Sequence, residues 1–125
     1  MMPKRAYLFI AHGSREPAAR EGFEVLLSSL RKSITGYPVL EAYLTLNQPS
    51  IETSVESGLA QGIEDFVVVP LFFFEGAHVK KDIPQILADL KLKHNRLDFQ
   101  VMPPMASIES FAEWVVLNAV KKAAR

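Results

Sequence analysis

Apolar and polar residues fall along this chain in two alternating kinds of block. Ala6 to Ala11 (AYLFIA) is a short continuous apolar run ended by Gly13 and Ser14, the pattern of a strand buried on both faces. Pro17 to Lys32 follows, with Phe23, Leu26, Leu27 and Leu30 at helical spacing, so one side of a helix is apolar. The unit then recurs. VLEAYLTL, from Val39 to Leu46, reads as a second strand; Pro49 can open a helix in which Ile51, Val55 and Leu59 share a face, and Gly62 stops it. DFVVVPLFFF, from Asp65 to Phe74, is the third strand and the most apolar segment. A loop containing Gly76 leads to IPQILADLKLK, where Pro84 is expected in a helix's first turn. LDFQVM supplies a fourth strand. Beyond Pro103 and Pro104, Ile108 to Lys122 reads as a fourth helix with Phe111, Trp114, Val115 and Val116 as its apolar surface.

Strands that alternate with helices predict right-handed crossovers and a parallel sheet covered on both faces. The fold class expected is therefore α/β, a three-layer domain whose four-stranded parallel sheet is flanked by helices. No linker, low-complexity stretch or charge block interrupts the 125 residues, so residues 1–125 are read as a single domain. A hydrophobic content of 49% against 22% charged residues argues for a globular chain rather than a disordered one. The longest apolar run, FVVVPLFFF, is too short to span a bilayer and contains a proline. The N-terminus runs straight into the first strand with no cleavage-site pattern. A soluble protein is expected, with the cytosol the favoured compartment.

Charge and cysteine content narrow the chemistry. Fourteen basic and fourteen acidic side chains give zero net charge, so no general field draws the chain to nucleic acid or to an anionic membrane. With no cysteine, disulfides, thiolate nucleophiles and cysteine-based zinc sites are all excluded. Walker A, G-x-G-x-x-G, G-x-S-x-G and H-E-x-x-H patterns are missing, which argues against nucleotide hydrolysis, dinucleotide redox chemistry and serine esterase activity.

What remains is concentrated at strand ends. Open parallel sheets bind ligands beyond the carboxyl ends of their strands, and two such ends carry histidine: His12, Gly13, Ser14 and Arg15 after the first strand, and Glu75, Gly76, Ala77 and His78 after the third. A pair of neutral imidazoles can ligate a divalent metal or accept protons. Gly13 lets the backbone approach a ligand, Ser14 can cap the following helix and present amide donors, and Arg15 can grip a carboxylate in two places. Asp82 either accepts the second N–H of His78 or caps the helix carrying Pro84. Lys80 and Lys81 are a solvated pair in the ordinary reading and carboxylate ligands in the functional one. Phe72, Phe73 and Phe74 are core by default, though one could border a flat ligand. His94, near a helix end, reads as a solvated charge. A lone histidine at a strand end is more often structural; two at equivalent junctions make a site the better reading.

Taken together, AHGSR, AYLTLNQPSI and VVVPLFFFEGAHVKKDIPQIL resemble the short form of the CbiX/SirB family of sirohydrochlorin chelatases. The resemblance covers nearly the whole chain, and its most specific piece is P-L-F-x-x-x-G-x-H-x-x-x-D-I-P from Pro70 to Pro84. It implies a chelatase-like fold, ATP-independent insertion of Co2+, Fe2+ or Ni2+ as substrate metal into sirohydrochlorin, and a place in cobalamin or sirohaem formation. His12 and His78 are the implied catalytic and metal-binding pair, with no tightly bound cofactor. Tetrapyrrole contacts are expected from Gly13, Ser14, Arg15, Thr45, Glu75, Gly76 and Lys80. Longer relatives carry two such domains, so a homodimer is expected. Many members have an acidic residue in this second-strand segment, as in L-E-L-x-E-P, where this chain reads LTLNQP with Thr45 and Gln48; Glu75 is the expected replacement. The rival expectations are a carrier that binds sirohydrochlorin or metal without inserting it, and a phosphate-handling enzyme with His12 as nucleophile and Arg15 as clamp.

Overall fold

The computed structural model describes residues 4–74 and 76–122; Glu75 and the side chain of His78 lie outside the described residues. Four strands, β1 (Arg5–Ala11), β2 (Val39–Tyr43), β3 (Asp65–Pro70) and β4 (Asp98–Val101), form one parallel sheet in the order β2-β1-β3-β4. Between them run α1 (Pro17–Ser33), α2 (Ile51–Ala60) and α3 (Ala77–Lys93), and α4 (Glu109–Val115) follows β4. The expected α/β class and all-parallel sheet are what the chain adopts.

Side-chain alternation along β1 divides the interior. Ala6, Leu8 and Ile10 enter one cluster with Val55, Ile83, Leu87 and Leu90 of α2 and α3, while Phe9 joins a second with Phe23 and Leu27 of α1. Full burial of Leu8, Ile10 and Leu27 is worth about 1.5–3 kcal/mol each relative to exposure. Helix α2 ends in a Schellman arrangement, with Ile63 N–H donating to Gly58 O and Gly62 N–H to Leu59 O, which needs the positive φ of +93° at Gly62.

Several boundaries differ from expectation. Strand β2 stops at Tyr43 rather than Leu46 because Leu46 turns into the left-handed region at φ +67° and brings Pro49 O back to the Tyr43 amide. Pro49 lies just outside α2; the cap is Ser50, whose hydroxyl accepts from Thr53 N–H at 3.1 Å. Strand β3 stops at Pro70, so Phe73 and Phe74 leave the core and are exposed, while Phe72 alone of the three stays buried. Helix α3 begins at Ala77, so Pro84 sits inside it and not in its first turn. Burial of Ile83 and Leu87 holds the helix across the backbone bond that proline cannot donate. His78 and Asp82 are consequently helical, and the N-cap is Gly76. His94 caps the other end of α3 and is half-buried against Glu56 of α2, 2.7 Å away, rather than free in solvent.

The largest departure is α4. It continues as a π-helix over Val116–Lys121, and neither piece buries a residue. Coverage of the sheet therefore comes from α1 on one side and α2 with α3 on the other. Among the described residues no helix is long and apolar enough to cross a membrane.

Candidate active site

His12 continues the inward alternation of Leu8 and Ile10 one step past the end of β1, which sends it to the side of the sheet carrying α3. Its ring meets that of buried Phe72 edge-on at 5.8 Å. Beyond that contact His12 is exposed and lines a cleft of about 540 Å³ with Leu44, Thr45, Val79, Asp82, Gln85 and Ile86. The far wall is thus the first part of α3, the helix whose first turn contains His78.

The loop bearing His12 is clamped to the loop after β2. Leu44 N–H donates to Ala11 O and Thr45 N–H to His12 O, at 2.9 and 3.1 Å, extending the ladder past both strands. The Ser14 amide donates to Asn47 Oδ1 at 2.7 Å. Gly13, at φ +106°, lies so close to this loop that a Cβ would fall 1.9 Å from Thr45 O. That carbonyl cannot swing aside freely, because it also accepts from Asn47 N–H at 2.8 Å. Backbone permissiveness and close approach therefore both require glycine here.

The sequence-predicted residues divide by position. Thr45 and Asp82 share the His12 cleft. Gly13 and Ser14 border a smaller recess of about 160 Å³ on the other side of the loop, with His12, Arg20 and Tyr43. Arg15 and Lys80 are exposed and lie on the walls of neither space, and Gly76 is an exposed cap with open space where a Cβ would be. Ser14 does not cap α1: its hydroxyl accepts from Glu16 N–H at 3.0 Å, and Glu16 holds the cap position. Sequence reasoning missed Asn47, Gln85 and Arg20. Asn47 had one available signal, its place in a turn segment before proline; Arg20 had none, since nothing local marks it as turned toward His12. Among the described residues no group of three or more His, Asp or Glu side chains could hold a metal ion.

A family model, CbiX, matches residues 6–122. The chain belongs to the CbiX family. Among curated CbiX relatives, it is 34% identical over 85 residues to a sirohydrochlorin cobaltochelatase of Methanothermobacter thermautotrophicus, covering 68% of this chain and 59% of that protein. It is 39% identical over 83 residues to a sirohydrochlorin ferrochelatase of Bacillus subtilis, covering 66% of this chain and 31% of that one. The chain thus spans less than two thirds of the length of either relative. A structure described as a cobalamin (vitamin B12) biosynthesis CbiX protein of Marinobacter aquaeolei VT8 superposes with a TM-score of 0.80 at 29% identity, covering 97% of this chain and 98% of that one. The sirohydrochlorin chelatase SirB of Bacillus subtilis subspecies spizizenii, in complex with cobalt, gives a TM-score of 0.82 at 28% identity, covering 98% of this chain and 52% of that one.

Proposed function

We propose that this CbiX-family chain inserts a divalent metal, cobalt or iron and in a wider reading nickel, into sirohydrochlorin without ATP, with His12 and His78 as the working pair. The observation that carries this reading is the cleft joining His12 at the end of β1 to the first turns of α3, where His78 lies in the chain beside the wall residue Val79. Insertion requires two pyrrole nitrogens to lose protons while the metal exchanges its earlier ligands one at a time. Neutral imidazole serves both needs, because it accepts a proton near neutral pH and ligates iron, cobalt or nickel. A cage of many ligands would oppose release, and a pair suits delivery.

The peripheral carboxylates of the tetrapyrrole call for cations and amides around the cleft. Ser14, Arg15 and Lys80 are proposed for that contact, with Gly13 and Gly76 giving close backbone approach and Arg20 joining them through the recess beside Gly13. Thr45 stands on the cleft wall, at a position where the family resemblance implies an acid, and Glu75 is proposed to restore that carboxylate. The wider proposal is a single-domain, cytosolic homodimer.

A purified sample mixed with sirohydrochlorin and each metal, followed by absorption against an enzyme-free control, tests the reaction. General acid–base action contributes about 10²–10⁴-fold, so His12→Ala and His78→Ala each lower the rate by at least about 100-fold if both act. A loss under about threefold in both removes them from the reaction. Thr45 in place of the acid favours one second reading, a carrier; binding of sirohydrochlorin with no acceleration for any metal would establish it.

A further inference from the structure

We propose that Phe72 is the positioning residue for His12, holding its imidazole by ring contact where a hydrogen-bonding partner usually stands; the inference rests on the chelatase reading and deepens it. Strand register sets the pair. Ile10 of β1 lies level with Pro70 of β3, so two residues further along each segment His12 and Phe72 come side by side on one face. The alignment persists past the strand ends, because Leu71 N–H donates to Ile10 O at 2.8 Å. Phe72 is itself anchored: its carbonyl accepts from Met105 N–H at 3.0 Å, and the residue is only 8% exposed. The two rings meet edge-on, with centroids 5.8 Å apart and planes at 77°, an arrangement that aromatic pairs favour.

The bond from Thr45 N–H to His12 O fixes the backbone of His12 and not its side chain. An exposed side chain with nothing to hold it changes rotamer in picoseconds to nanoseconds. Unlike His94, which pairs with Glu56 at 2.7 Å, His12 makes no side-chain hydrogen bond or ion pair among the described residues, and Phe72 is the ring it touches. Metal-ligating histidines commonly give their second N–H to a carboxylate or carbonyl, which fixes one tautomer. An aromatic neighbour instead fixes the plane of the ring and leaves either nitrogen able to accept. That freedom suits a group that must take up a proton and hold a metal at different moments of insertion. Phe72 also borders a cavity of about 300 Å³ with Pro70, Val79 and Ile83, which has room for the hydroxyl of a tyrosine in its place.

Phe72→Leu keeps an apolar side chain and loses the ring. The preference of an aromatic pair corresponds to about two- to tenfold in rotamer population, so kcat for metal insertion should fall by about that factor with KM for sirohydrochlorin unchanged. Phe72→Tyr keeps the ring and should restore kcat. Phe66→Leu is the control, because it makes the same change in a fully buried ring of the same strand; it should lower the melting temperature at least as much and leave kcat alone. In protein labelled with 13C-histidine, the His12 ring signal is assigned by its loss in His12→Gln. Its relaxation should report faster ring motion in Phe72→Leu and not in Phe72→Tyr or Phe66→Leu. Unchanged relaxation of His12 in Phe72→Leu overturns the inference, as does a fall in kcat just as large in Phe66→Leu. The relaxation measurement needs neither metal nor tetrapyrrole. A wild-type chain that inserts no metal therefore sinks the chelatase reading, while the ring motion still decides whether Phe72 holds His12.

Discussion

Replacing Gly13 by alanine tests whether His12 is held in place by the contact between its own loop and the loop after β2. Two costs add at this position. A side chain at φ +106° is strained by about 1–2 kcal/mol. The new Cβ would lie 1.9 Å from Thr45 O, where contacts under 3.0 Å are essentially never seen, so the two loops must separate by about 1 Å. Separation strains the bonds from Thr45 N–H to His12 O and from Ser14 N–H to Asn47 Oδ1, each worth about 0.5–1.5 kcal/mol. The expected loss is therefore about 2–5 kcal/mol, out of the roughly 5–15 kcal/mol typical of a domain. Gly36 is the control, because it too has positive φ, at +85°, but a Cβ there meets nothing within 4 Å. Urea unfolding should show Gly36→Ala losing only the strain of about 1–2 kcal/mol. Misplacing His12 by about 1 Å should also lower metal insertion about 100-fold in Gly13→Ala and leave Gly36→Ala near wild type. Equal stability losses in the two variants, with insertion intact in both, would refute the idea that loop contact positions His12.

Other outcomes follow from the same geometry. Asn47→Ala removes the acceptor of the Ser14 amide and should cost about 1–3 kcal/mol in urea, with insertion falling more than in Ser50→Ala, which loses only a helix cap worth about 1 kcal/mol. Thr45→Glu returns a carboxylate to the cleft wall; initial rates for each metal should rise, whereas Glu75→Gln should lower them. On the acid side, His94 and then Lys93 hold the Glu56 carboxyl below its ordinary value of 4.5. The stability this contributes is present above pH 4.5 and is lost as pH falls through the lowered value, so Glu56→Gln should flatten the acid limb of a stability–pH curve. Glu41 has the opposite sign: burial first, then the neighbouring Glu24, raises its carboxyl above 4.5. Stability falls as pH rises through that window, and Glu41→Gln should stabilise the chain at neutral pH, read by thermal melting.

Much of the candidate site could be read from the chain because its signals are local. The rule that ligands gather beyond the ends of parallel strands selected the edge of the sheet where the His12 cleft lies. Gly13 stood out as a glycine at a turn, but its second reason, contact with the Thr45 carbonyl, joins segments 32 residues apart. Arg20 was invisible for the same reason, and the turn context of Asn47 did not reveal its partner, the Ser14 amide. Pro84 misled because a helix-breaking preference of about 3 kcal/mol is smaller than the burial that holds α3 against the sheet. Phe73 and Phe74 misled because apolar character predicts burial only where something is present to cover it.

By itself, the order of residues determined the strand and helix segments, their parallel arrangement, the lack of any cysteine chemistry and the two histidine-bearing junctions. These depend on side-chain period and backbone stereochemistry, which act over a few residues. Tertiary structure decided that α3 reaches back to Ala77 and walls the cleft opposite His12, that Asn47 clamps the Ser14 amide, and that α4 is left uncovered. Those outcomes depend on which distant surfaces come into contact, and no local pattern encodes that.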